Sequence, residues 1–131
     1  MSYYAKMLER ISADPLQKAA YDTEDSTVVI AGPGSGKTTI LTLKIMKLLN
    51  NHITEPQGLA CLTFSKEAAR EFEDRLKKLG YVERRNVFLG TVHSFCISEI
   101  LSNFAELYDY GVTLPIKVLP EKLEKQIYNS V

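Results

Sequence analysis

Short apolar runs alternate along the chain with stretches in which hydrophobic residues recur every three or four positions. This alternation predicts βαβ units. Three runs read as strands: "STVVIA" (26–31), "LACLTF" (59–64) and "VFLG" (87–90). Each is continuously apolar, as in parallel strands buried on both faces. After the first run, Leu41, Ile45, Leu48 and Leu49 fall at i, i+4, i+7 and i+8 of a helix from Lys37 to about Asn51, one face of which packs on the sheet. After the second, Ala68, Ala69, Phe72, Leu76 and Leu79 repeat the pattern, and Gly80 stands where a glycine ends a helix. After the third, Phe95, Ile97, Ile100, Leu101, Phe104 and Leu107 predict a longer helix to about Tyr110, stopped near Gly111. Ahead of the first run, "ADPLQKAAY" offers Asp14 as an N-cap and Pro15 at the first helical position. Beyond Pro115, a short apolar run (116–119) precedes Pro120 and a charged helix that ends abruptly at Val131.

At 131 residues, 45% of them hydrophobic, the chain suits one compact α/β domain with a modest core. Lys and Arg number 16 and so do Asp and Glu, so no global positive field gathers nucleic acid and any such contact must be local. Cys61 and Cys96 lie in apolar surroundings with no short spacing, which supports neither a disulfide framework nor a zinc site. No apolar run approaches the roughly 18 residues that span a bilayer, and "MSYYAKMLER" lacks the apolar core of a signal peptide. A soluble, cytoplasmic protein with no membrane partner is expected.

The strongest chemical signal is a phosphate cradle. Ala31, Gly32, Pro33, Gly34, Ser35, Gly36, Lys37 and Thr38 follow the Walker A pattern G-x-x-x-x-G-K-[ST], except for alanine at the first position. Gly34 and Gly36 permit backbone torsions that a side chain would forbid, and the exposed N–H groups converge on an anion where a helix begins. Lys37 can reach the β- and γ-phosphates of ATP as a mobile charge, and the Thr38 hydroxyl suits one coordination position of Mg²⁺. These two are the candidate catalytic residues.

A phosphate cradle alone does not choose among kinases, GTPases and motors. "DPLQKAAYD" before it, with "LTFSKEAAREFEDRL" and "GTVHSFC" after it, together resemble the N-terminal half of UvrD/Rep-type superfamily 1 DNA helicases, in order and spacing as well as in residues. The resemblance covers nearly the whole chain, from Leu8 to about Leu119. It implies a RecA-like, three-layer P-loop fold with a parallel sheet, incomplete here, in which about 112–131 begin an inserted subdomain. It implies that Gln17 reads the adenine edge, although Asp14 and Gln17 also stand at the N-cap and N3 positions of a capping box. It places Thr63, Phe64, Ser65 and Lys66 on a single-stranded DNA track, with Thr91, His93 and Ser94 as backbone-holding groups. Two departures stand out: "TFSKEAA" replaces the usual "TFTNKAA", and Thr39, in the nucleotide-binding set, stands where many relatives carry arginine.

Other readings compete for single residues. Lys66, Arg70 and Lys77 share a helical face, but Glu73 lies among them in the favourable i, i+4 order before Lys77, so this face reads as solvated and self-paired. His93 and Cys96 make only half of a four-ligand zinc site. Thr91 equally suits a helix N-cap, and Phe95 suits a core.

ATP hydrolysis in a P-loop motor needs a carboxylate on a neighbouring strand, read as an apolar run ending in Asp-Glu. No run here ends that way. The expectation is therefore an N-terminal piece of a helicase that binds ATP and Mg²⁺, touches single-stranded DNA weakly, performs little chemistry alone, and depends on the rest of the helicase chain. The alternatives are a P-loop kinase or nucleotide sensor, and an interaction module with an exposed sheet edge.

Overall fold

In the computed structural model, which describes residues 1–109 with Gly111, 114–116, Val118 and Gln126, a helix absent from the pattern reading comes first. Helix α1 (Tyr3–Ser12) is capped by Ser2, whose hydroxyl accepts from Ala5 N–H. Its Tyr4, Met7, Leu8 and Ile11 follow helical spacing and pack in one cluster with Tyr21, Ile40 and Leu43. Helix α2 (Pro15–Asp22) begins as predicted: Asp14 Oδ1 accepts from the N–H groups of Leu16 at 2.9 Å and Gln17 at 3.2 Å, and Pro15 opens the helix.

Helix α3 (Lys37–Asn51) has the predicted bounds but presents a different face. Ile40 and Leu43 join the cluster with α1 and α2, whereas Ile45, Met46 and Leu49 join a second with Cys61, Phe72, Leu76 and Tyr81. The helix is thus buried on two sides. Leu41 is exposed and Leu48 half-buried, because both line the groove beside residues 26–31.

Strands β1 (Leu59–Thr63) and β2 (Val87–Thr91) pair in parallel, in register from Leu59 opposite Val87 to Thr63 opposite Thr91. Helix α4 (Lys66–Lys78) makes the crossover and lays Phe72 and Leu76 against the sheet and α3. Its end follows the predicted glycine rule. Gly80, at φ 96°, donates to Lys77 O, and Tyr81 N–H donates to Leu76 O, so two carbonyls of the last turn find partners.

The first predicted strand is not formed. Residues 26–31 are irregular, and Val28 and Ile30 are 85% and 94% exposed. A strand exists only through lateral hydrogen bonds, and among the described residues β1 and β2 pair with each other alone. Nor is the sheet buried on both faces: Cys61 is buried, while Ala60 and Leu62 beside it are exposed. The observed architecture is mixed α/β with a two-stranded parallel sheet.

The chain divides into two units, Met1–Thr91 and Val92–Val131. In the second, the single long helix predicted to Tyr110 is replaced by three short pieces: α5 (Val92–Phe95), a π-helical turn (Cys96–Leu101) and α6 (Ser102–Phe104). Serine side chains bond back to earlier carbonyls here, Ser98 to Ser94 O at 2.9 Å and Ser102 to Ile97 O at 2.7 Å, competing with the regular ladder. Phe95 is half-buried, while Phe104 and Leu107 are exposed. Tyr110 and the charged helix after Pro120 lie outside the described residues.

Candidate functional site

The phosphate loop is shaped by backbone torsion. Gly34 and Gly36 sit at φ 75° and 83°, a left-handed region that residues with a Cβ rarely adopt. Gly36 is the N-cap of α3 and provides no side-chain hydrogen bond to it, so the first N–H groups of a fifteen-residue helix keep their donors for another acceptor. A Cβ at Gly32 or Gly34 would meet nothing within 4 Å, which leaves that face of the loop open. The loop therefore fits a phosphate: aligned donors, a helix dipole and an adjacent cation meet in one place. Ser35 Oγ, beside them, is buried without a partner.

Lys37 is exposed, and its ammonium turns back on its own loop, donating to Ala31 O at 2.5 Å and Gly32 O at 2.7 Å. Thr38 and Thr39 are half-buried in the first turn of α3. Pro33 is exposed at the tip. Thr39 also borders a cavity of about 390 Å³ between α1, α3 and α4, with Tyr3, Met7, Asp74 and Lys78.

Gln17 is brought to the loop from α2. Its Nε2 donates to Ser35 O at 3.3 Å, and its carboxamide would lie 3.7 Å from a Cβ placed on Gly36. The capping box does not close, because Asp14 N–H donates to Ile11 O and the Gln17 side chain turns to the loop instead. Asp14 alone serves as the cap.

The DNA-track candidates divide between the two units. In the first, register sets Thr63 opposite Thr91 at the ends of β1 and β2, and the Thr63 hydroxyl donates to Ser65 O at 2.9 Å. Phe64 follows, 95% exposed. Ser65 caps α4 by accepting from Ala68 N–H at 3.1 Å, and Lys66 is exposed in the first turn. Glu67 occupies the same helix start: its own backbone N–H and then the Ser65 hydroxyl hold its carboxyl below the ordinary glutamate value. The positive end of the α4 dipole already has an anion beside it. On the outer face Glu73 and Lys77 pair at 2.6 Å, as their spacing predicts. In the second unit His93 and Ser94 are exposed on α5.

Both cysteines are free thiols, Cys61 buried and Cys96 exposed, and burial raises the Cys61 thiol above its ordinary value. Among the described residues no three His, Cys, Asp or Glu side chains group to hold a metal ion. No helix among them is long and apolar enough to cross a membrane.

Residues 13–128 match the model of the UvrD/REP helicase N-terminal domain. The chain is 32% identical over 106 residues to ATP-dependent DNA helicase SRS2 of Saccharomyces cerevisiae, covering 79% of this chain and 9% of that protein. It is 36% identical over 80 residues to ATP-dependent DNA helicase PcrA of Staphylococcus aureus, 61% of this chain and 11% of the relative. A probable DNA helicase II homolog of Rickettsia conorii is 32% identical over 96 residues, 73% of this chain and 14% of the relative. The chain thus spans about a tenth of the length of these relatives.

Proposed function

The chain belongs to the UvrD/REP helicase N-terminal domain family, and on that premise we propose that it is the ATP-binding N-terminal part of an ATP-dependent DNA helicase. The observation that carries the reading is the uncapped start of α3 behind left-handed Gly34 and Gly36, with Gln17 bonded to the loop. In this reading the N–H groups of Gly32 and of 34–38 and the Lys37 ammonium hold the phosphates, and Lys37 exchanges its two loop carbonyls for phosphate oxygens. Thr38 takes one position on Mg²⁺, and Gln17 offers the adenine edge one donor and one acceptor. Bound ATP supplies the energy of its terminal phosphate bond.

Residues 26–31 are then the strand of the phosphate loop in a RecA-like, three-layer domain, paired by strands from the rest of the helicase chain, and about 112–131 begin an inserted subdomain. With no apolar run ending in Asp-Glu, this chain holds ATP and hydrolyses little of it. In the whole helicase, hydrolysis drives translocation on single-stranded DNA and duplex unwinding, in the cytoplasm. The contribution of this chain to DNA binding is weak. Exposed Phe64 stacks on a base, Thr63, Ser65, Lys66, Thr91, His93 and Ser94 offer polar contacts, and Glu67 opposes a phosphate at the start of α4.

Titration with a fluorescent ATP analogue and Mg²⁺ tests the reading. Lys37→Ala is expected to bind at least tenfold more weakly than wild type, from the loss of charge-assisted bonds of about 1.5–3 kcal/mol. Equal affinity of the two would sink it.

A further inference from the structure

Helix α2 is fastened to α3 at both ends. At its start, Gln17 donates to Ser35 O, just before the α3 N-cap. At its end, the Lys44 ammonium donates to Ala20 O at 3.0 Å and to Thr23 O at 2.5 Å. These carbonyls belong to the last turn and C-cap of α2, where the helix dipole is negative and a cation is favoured. The last turn of α2 contains no basic residue of its own. The cation comes from α3, seven residues or about 10 Å beyond Lys37.

With eight residues, α2 is too short to be stable as an isolated helix. Its placement rests on Tyr21, buried against Ile40 and Leu43, bonded to the Tyr4 hydroxyl and lying under the Lys47 ammonium, and on the Gln17 and Lys44 ties. The Gln17 bond is 3.3 Å long, near the outer limit for a hydrogen bond, so a few tenths of an ångström at α2 removes it. The half-buried Lys44 lines two grooves, of about 480 and 400 Å³, the second shared with Lys37.

We propose that Lys44 is a positioning residue for base recognition: by clamping the end of α2 onto the phosphate-loop helix it holds Gln17 in place and sets the preference for adenine over guanine. Lys44 acts through the α2 carbonyls it bonds, Ala20 O and Thr23 O. The inference rests on the nucleotide-site reading above, and it adds a residue that neither the motif nor the resemblance assigns.

The test titrates fluorescent ATP and GTP analogues against the 131-residue chain as wild type, Lys44→Met, Lys44→Arg, Gln17→Ala and the double variant Lys44→Met with Gln17→Ala. Lys44→Met is expected to reduce the ATP-over-GTP preference about fivefold, the worth of one hydrogen bond, and Lys44→Arg to retain it. The double variant should discriminate no worse than Gln17→Ala alone, because both changes break one linkage. Equal weakening for both nucleotides in Lys44→Met, or independent effects of the two substitutions on the preference, would overturn the proposal. Should Lys44→Met fail to fold by circular dichroism, Lys44→Gln, which keeps a shorter donor, is read against the same criteria. Failure of wild type to bind, or Lys37→Ala binding as wild type does, defeats the nucleotide-site reading and this inference with it. A wild type that binds ATP and GTP alike defeats this inference alone.

Discussion

Gly36 caps α3 at φ 83° and ψ 11°, and Gly36→Ala separates the two reasons for a glycine there. Space is not one of them, since the new methyl would stand 3.7 Å from the Gln17 carboxamide, an ordinary contact. Torsion is: an L-residue in the left-handed region costs about 1–2 kcal/mol. Gly32→Ala is the internal control. Its methyl meets nothing within 4 Å, and its φ lies outside the left-handed region. Restricting the unfolded chain there should stabilise by about 0.4–1 kcal/mol. One methyl in one loop thus has opposite signs four residues apart, a gap of about 1.5–3 kcal/mol. Urea unfolding of both variants measures it, as midpoints that separate in opposite directions from wild type at a common slope. Gly36→Ala should also bind the ATP analogue more weakly, because relief of the torsion turns the first N–H groups of α3 away from the loop. Equal midpoint shifts in the two variants, or Gly36→Ala at the wild-type midpoint, would refute the reasoning.

Leu43 is fully buried between α1 and α2, so Leu43→Ala should cost about 2–5 kcal/mol in urea or thermal unfolding, against less than about 1 kcal/mol for half-exposed Leu41→Ala. Phe64→Ala should leave stability within about 0.5 kcal/mol, because the ring is almost wholly exposed, and weaken single-stranded DNA binding by about 1–3 kcal/mol in fluorescence anisotropy. Unchanged DNA affinity would remove the ring from the track. Burial, and then the Tyr4 hydroxyl at 2.7 Å, raise the Tyr21 phenol well above its ordinary value of 10.0. The folded state therefore holds this proton more tightly. Its stabilising contribution is complete below about pH 10 and declines as pH rises from there through the folded value, with a slope of at most about 1.4 kcal/mol per pH unit. Unfolding free energies from about pH 9 to 11.5 should fall faster for wild type than for Tyr21→Phe; parallel curves would contradict the assignment.

Much of the site was legible because its parts are neighbours in sequence. Asp14 and Pro15 open α2 and Gly80 closes α4, each through contacts within five residues. The double role weighed for Gln17 was open in sequence, since N3 of a capping box and a loop contact share one pattern. An acceptor eighteen residues away decided its direction. Helix α1 carried a signal of its own, Ser2 before Tyr4, Met7, Leu8 and Ile11 at helical spacing. The π-helical turn had none: Ile97, Ile100 and Leu101 fall at the spacing of an ordinary helix, and the serine back-bonds mark the path taken.

The sequence by itself determined the phosphate loop, the caps, the bounds of α3 and the two strands that pair, because torsional preference, capping and hydrophobic period act over a few residues. Tertiary structure decided what depends on distant partners. The run 26–31 has the composition of a strand, yet without lateral hydrogen bonds it stays irregular, with Val28 and Ile30 in solvent. Helix α3 has apolar residues around most of its circumference, and the positions of α1, α2 and α4 choose which are buried. The tie from Lys44 to α2 spans more than twenty residues. Only the packed chain brings that ammonium to those carbonyls, because its reach is set by how two helices lie together.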